Sequence, residues 1–159
     1  MSLPVPVRTG MRYAPCEGSE VPRFISLFDA QTLDHRAETA ALNELAESAG
    51  WVVLHAGDSI RLDKNSRAIV ISGVTWSKPD LEVLDELATR DIGDTRVWFF
   101  NPDYVFPDER ILPGAPRMVQ TPALAEYSGE QLVAFVQGGS VSGGVIDRIR
   151  RLFPQHSSK

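Results

Sequence analysis

The stretch from Arg67 to Val74 is the most apolar run in this chain, and Ala68-Ile69-Val70-Ile71 within it shows no polar alternation. A strand of that kind is buried on both faces, which places it at the centre of a sheet. The run closes at Val74-Thr75-Trp76-Ser77-Lys78-Pro79-Asp80 and passes into an amphipathic pattern. There Leu81, Val83, Leu84, Leu87 and Ala88 fall inward, with Glu82, Asp85, Glu86 and Arg90 outward. Ile92-Gly93-Asp94 breaks the helix, and Arg96-Val97-Trp98-Phe99-Phe100 predicts the next strand. Strand, helix and strand joined this tightly form a βαβ unit, so the two strands are expected to be parallel. The turn at Trp76 is where a sheet of this kind places its chemistry.

The rest of the chain is read around that unit. Residues 1–22 hold four prolines and two glycines and read as an extended arm. Phe24-Ile25-Ser26-Leu27-Phe28 reads as a short strand. A helix follows from an Asp29 cap, with Leu33, Ala37, Ala41, Leu42, Leu45 and Ala49 inward and Gly50 closing it. Trp51 to His55 and Ile60 to Leu62 read as a hairpin across Ala56-Gly57-Asp58-Ser59. Asn101 to Gln120, with four prolines, is a long connection with one helical turn near Asp108 to Ile111. Ala123 to Tyr127 and Gln131 to Val136 form an antiparallel hairpin around Gly129. A last helix carries Val145, Ile146, Ile149, Leu152 and Phe153 on one face, with Arg148, Arg150 and Arg151 on a solvated one. The expected organisation is an arm over 1–22, a single α/β domain over 23–153 and a frayed tail over 154–159, with helices on both faces of a mixed sheet.

Composition narrows the function classes. The chain has 16 basic and 21 acidic residues among 159, a net charge of −5. A nucleic-acid binder shows a basic surplus, and a membrane-surface protein a polybasic patch; neither is expected here. No apolar run approaches the ~18–20 residues that span a bilayer. Pro4 and Pro6 interrupt the N-terminus where a secretory signal needs a continuous apolar helix. The single cysteine, Cys16, cannot pair internally, so a cytoplasmic location is expected. His35, His55 and His156 do not cluster with carboxylates at ligand spacing, so no metal and no cofactor are expected. Gly138-Gly139-Ser140-Val141-Ser142-Gly143-Gly144 lacks the lysine of a phosphate loop and reads as a flexible turn.

The order of elements and the residues at their joints resemble the thioredoxin-like fold, most strongly over Ala68 to Phe153. Thioredoxins carry Trp-Cys-Gly-Pro-Cys where this chain has Trp76-Ser77-Lys78-Pro79-Asp80. The family then has a threonine or isoleucine before a cis-proline, a glycine-turned hairpin and a terminal helix. Thr121-Pro122, Gly129 and the helix from Gly143 fall in that order. The resemblance implies a three-layer α/β/α sandwich with a mixed central sheet, here with an extra N-terminal arm and hairpin. It also implies that Thr121-Pro122 is cis and faces the turn. Both cysteine positions are replaced, by Ser77 and Asp80, and Ile71 stands where the family buries an acidic residue. Dithiol exchange needs one thiolate to attack and a second thiol to resolve, and this turn has neither.

Two readings of the turn stand side by side. Ser77 can cap the helix by accepting from the Asp80 N–H, with Asp80 placed favourably at the positive end of the helix. Alternatively Ser77 donates to an anionic ligand beside Lys78, as a hydroxyl does in glutathione transferases. Pro122 either shapes the entry to its strand or borders a groove for an extended peptide. The expected function is a redox-inactive binding module whose partner is another protein, working as an adaptor, an assembly chaperone or an immunity-type partner. Its groove would use Trp76, Ser77, Lys78, Thr121 and Pro122, extended by Tyr104 and Phe106. The alternative is a glutathione- or thiol-linked transferase or peroxidase-like enzyme using Ser77 or Cys16.

Overall fold

The computed structural model describes residues 23–29, 34–138 and 144–155. The expected arm over 1–22, Cys16, Leu33 and most of the glycine-rich turn over 138–144 lie outside the described residues, as does most of the tail over 154–159. The apolar stretch after Arg23 builds helix α1 (Ser26–Asp29), and α2 (His35–Ser48) follows. Strand β1 (Val52–Val53), strand β2 (Arg67–Ser72), helix α3 (Lys78–Ala88) and strand β3 (Arg96–Phe100) come next. Strands β4 (Ala123–Ser128) and β5 (Gln131–Gln137) and helix α4 (Val145–Leu152) complete the order.

The five strands form one sheet in the order β1-β3-β2-β4-β5. β3 is parallel to both β1 and β2, through Val52 opposite Trp98 and Val70 opposite Trp98. β4 runs antiparallel to β2, and β5 antiparallel to β4, with an irregularity at Glu126 and Tyr127. The expected βαβ unit and hairpin are both present. β2 is central, and all its residues after Arg67 are buried, as the unbroken apolar run requires.

Four expectations in the first part of the chain fail. Phe24 to Phe28 is not a strand: the Phe24 and Ile25 N–H groups donate to the Asp85 carboxylate at 2.6 and 2.9 Å, and the Phe24 ring stacks on Trp51 at 5.3 Å. These contacts draw the segment onto the helices instead of into the sheet. The cap of α2 is Asp34, not Asp29; its carboxylate accepts from the Arg36 and Ala37 N–H groups. The buried side of α2 is Glu38, Leu42 and Ala46, so the inward stripe is rotated and takes Glu38 in, while Ala37 is exposed. Ile60 to Leu62 does not return as a hairpin strand; the Ile60 N–H donates to the Arg110 carbonyl in the long connection.

Two apolar clusters flank the sheet. One joins Ile69, Ile71, Val97, Phe99 and Leu124 to Leu42, Leu81, Leu84, Val145 and Ile149 of α2, α3 and α4. The other joins Val70, Trp98, Phe100, Ala125 and Tyr127 to Leu54, Val105, Ile111 and Leu112. The buried apolar residues of the described helices thus fall in one cluster, and the second face is covered by the segments after β1 and β3. The expected helix layer on both faces is not what these residues build. The reason is compositional: Asn101 to Gln120 has too many prolines to continue a helix, and its apolar residues cover the sheet from turns instead. The Tyr127 hydroxyl fastens that cover by donating to the Pro113 carbonyl at 2.8 Å.

The arginines of α4 are paired rather than merely solvated. Arg148 binds the buried Glu126 at 2.6 Å, Arg150 binds Glu86 of α3 at 3.2 Å, and Arg151 binds Asp147 at 3.3 Å. Among the described residues, no helix is long and apolar enough to cross a membrane.

Candidate functional site

β2 delivers the chain to its turn with no slack. A Cβ on Gly73 would stand 2.8 Å from Leu84 Cδ1, so glycine lets the turn lie against α3. Ser77, in extended conformation, then caps α3: its Oγ accepts from the Asp80 N–H at 3.4 Å and donates to Asp80 Oδ1 at 2.9 Å. Pro79 sits in the first turn, where its missing N–H costs little. The capping reading of Ser77 and Asp80 holds at the level of these contacts.

Asp80 does more than the spacing suggested. It is fully buried, and its Oδ2 accepts from the Thr121 hydroxyl at 2.7 Å and from the Val74 N–H at 3.1 Å. Thr121 Oγ1 in turn lies 3.1 Å from Ser72 Oγ, which accepts from the Ala123 N–H at 2.8 Å. With the Thr121 proton on Asp80, Ser72 donates to Thr121. This chain of bonds ties the end of β2, the start of α3 and the entry to β4 together. The Thr121-Pro122 peptide bond is cis. Burial pushes the Asp80 carboxyl above its ordinary pKa, against the hydrogen bonds from Thr121, Ser77 and Val74 that favour the anion.

An open groove of about 830 Å³ runs along this joint, with Trp76, Ser77, Phe106, Met118, Val119 and Thr121 in its lining. Part of that lining is fixed by Gln137, whose Oε1 accepts from the Val119 and Gln120 N–H groups at 2.7 and 3.1 Å. Trp76 is half exposed, and its indole N–H donates to Asp103 at 2.8 Å. Of the residues expected here, Trp76, Ser77, Thr121 and Phe106 come together. Lys78 is exposed outside the lining, and Pro122 is buried behind it. Tyr104 lines two neighbouring depressions instead. One, of about 580 Å³, includes His35, Thr39, Trp76 and Asp103; the other, of about 300 Å³, includes Asn43, His55 and Asn101.

The anion-binding reading of Ser77 loses its basis in this geometry. The Ser77 hydroxyl is given to Asp80, whose carboxyl already occupies the positive end of α3. Among the described residues, no group of three or more histidine, cysteine or acidic side chains could hold a metal ion. Reading by spacing missed the burial of Asp80 and Asn101, whose cause is tertiary.

A comparison with protein-family models gives no match, and neither does a search of the curated proteins.

Proposed function

We propose that this chain is a redox-inactive thioredoxin-like module that binds another protein through the groove between Trp76 and Val119. The observation that carries the reading is where apolar surface is left exposed. Six large hydrophobic side chains are exposed among the described residues: Phe28, Trp76, Tyr104, Phe106, Val119 and Val133. Trp76, Phe106 and Val119 line this one groove, and Tyr104 stands beside Trp76 in the next depression. Apolar groups gathered at a concave site mark recognition surfaces, whereas scattered ones need no explanation.

The thioredoxin-like assignment draws support from the strand order, from the helix that begins at the Trp76 turn and from the cis Thr121-Pro122 bond beside it. The face without described helices departs from the full three-layer pattern. Redox inactivity follows from chemistry: the turn holds hydroxyl and carboxyl groups where exchange needs two thiols. An enzyme using Ser77 is the weaker reading, because the Ser77 hydroxyl is engaged with Asp80 on both sides as the cap of α3.

The test is affinity capture from native lysate with quantitative mass spectrometry, followed by calorimetry on the recovered partner. Trp76→Ala and Phe106→Ala are each expected to weaken binding by about tenfold or more, as buried aromatic anchors do. Undiminished binding by both variants would remove the groove from the proposal.

A further inference from the structure

Trp76 borders two hollows, and the second differs in chemistry from the groove. This depression of about 580 Å³ is lined by His35, Thr39, Thr75, Trp76, Asp103 and Tyr104. Two aromatic side chains of the lining are open to solvent, Trp76 at 51% and Tyr104 at 48% exposure. Asp103 is exposed as well, and its carboxylate accepts from the Trp76 indole N–H at 2.8 Å. Two accessible rings and a carboxylate thus share one concave site.

The acidic character continues behind the wall. Glu38 is buried, and its carboxyl lies 3.4 Å from His35 Nδ1 and 3.5 Å from the Thr75 hydroxyl, both of them lining residues. His35, the basic side chain in the lining, is therefore placed against an acid of its own. Among the described residues no lysine or arginine lines this depression, whereas Arg117 lines the groove. Aromatic faces carry the negative side of the ring quadrupole, so rings beside a carboxylate attract a cation from outside.

We propose that this depression binds an organic cation with a quaternary ammonium group, seated against Trp76 and Tyr104 with Asp103 as its counter-charge. The lining decides among cations. A bare ammonium brings three donors and a guanidinium five, and each needs an acceptor once water is displaced. Here the Thr75 hydroxyl is directed at Glu38, and Asp103 already accepts from Trp76. A methylated nitrogen has no donors to satisfy and is held by ring faces and a nearby carboxylate alone. An anion would meet Asp103 in the lining and Glu38 behind it. The same chemistry is carried by a free quaternary ammonium compound and by a trimethylated lysine side chain. The site does not rest on the groove, because His35, Thr39 and Tyr104 are not part of the groove lining.

The experiment is a titration of ¹⁵N-labelled full-length protein at constant ionic strength, followed on the Trp76 indole N–H resonance. The probes are choline chloride and its uncharged isostere, 3,3-dimethyl-1-butanol. Choline is expected to bind in the millimolar range or tighter, to move that resonance and to bind about tenfold more tightly than the isostere. A third probe, N-acetyl-Nε-trimethyllysine amide, separates the two sources. Binding tighter than choline assigns the site to a modified lysine, and weaker binding to a free quaternary ammonium compound. Tyr104→Ala, an exposed substitution outside the groove, is expected to weaken choline binding about fivefold. Asp103→Asn keeps an oxygen for the Trp76 N–H, removes the charge and is expected to cost about tenfold. No shift with choline, equal binding of the isostere, or an affinity unchanged in either variant would each overturn the proposal.

Discussion

Two buried polar side chains stand near the carboxyl ends of the two longest parallel strands, and they are used in opposite ways. Asp80, beyond β2, accepts from Thr121, Ser77 and Val74 and has no exposed surface. Asn101, beyond β3, spends its oxygen on the Asp103 N–H, and its Nδ2 meets no acceptor among the described residues. A buried group whose bonds are all made inside the chain specifies the scaffold, while one left half-made costs stability and specifies less. The position that a motif-based reading singles out is thus the one whose bonds are all made, and the buried amide at the neighbouring strand is the one with a bond to spare.

The sharpest way to break this contrast is to empty the sealed position. Asp80→Leu keeps the branching of the side chain but leaves the Thr121 and Ser77 hydroxyls and the Val74 N–H facing methyl groups. Stranding donors that join three segments should cost about 3 kcal/mol or more in urea unfolding at neutral pH. A loss under about 1 kcal/mol would mean that the network is ornamental and that Asp80 was available for something else.

Asn101→Ala should cost much less in the same measurement. It removes one hydrogen bond to the Asp103 N–H, worth about 1 kcal/mol, and also removes a donor that was never satisfied. A cost as large as that of Asp80→Leu would show that Asn101 is as much a scaffold residue as Asp80, and the contrast would collapse.

The parts of the fold legible in the sequence are those that local pattern decides. An apolar run without alternation can only be an interior strand, so β2 declared itself, and Ser77 with Asp80 three residues later declared the start of α3. Gly129, at φ +60°, marked the hairpin in the same way. Phe24 to Phe28 was misread because a short apolar run fits a strand or a helical turn equally well. The arbiter is the Asp85 carboxylate about sixty residues away, which takes both N–H groups. The inward stripe expected for α2 leaves out Glu38, which the rotation of the helix brings inside, within 3.5 Å of the Thr75 hydroxyl. The same holds at the sites. Ser77 was legible as a cap, but the burial of Asp80 depends on Thr121, 41 residues downstream. The Asn101 depression depends on α2 and on the segment after β1, neither of which is near Asn101 in sequence.

The smallest expected effect concerns charge rather than packing. Burial raises the Asp80 carboxyl above its ordinary pKa, with Asp103 adding a lesser push in the same direction. A carboxyl whose folded pKa is raised contributes stability that is complete below the unfolded value of about 4 and is lost as pH rises through the folded value. Asp80→Asn is nearly isosteric: its oxygen can take the Thr121 and Val74 donors while its amide donates to Ser77 Oγ, and it cannot ionise. Wild type should therefore lose stability relative to Asp80→Asn as pH rises from the acid side towards neutral. The difference between the two is the quantity to follow, because Glu86 tilts the absolute curve the other way. Its carboxyl is held below the usual range, mainly by the hydrogen bond from Arg150, so its contribution is lost as pH falls in both proteins alike. Urea unfolding of both proteins across that range checks the sign. Parallel curves would mean that the Asp80 carboxyl ionises as freely as in the unfolded chain, and that the sealed position is wetter than its contacts indicate.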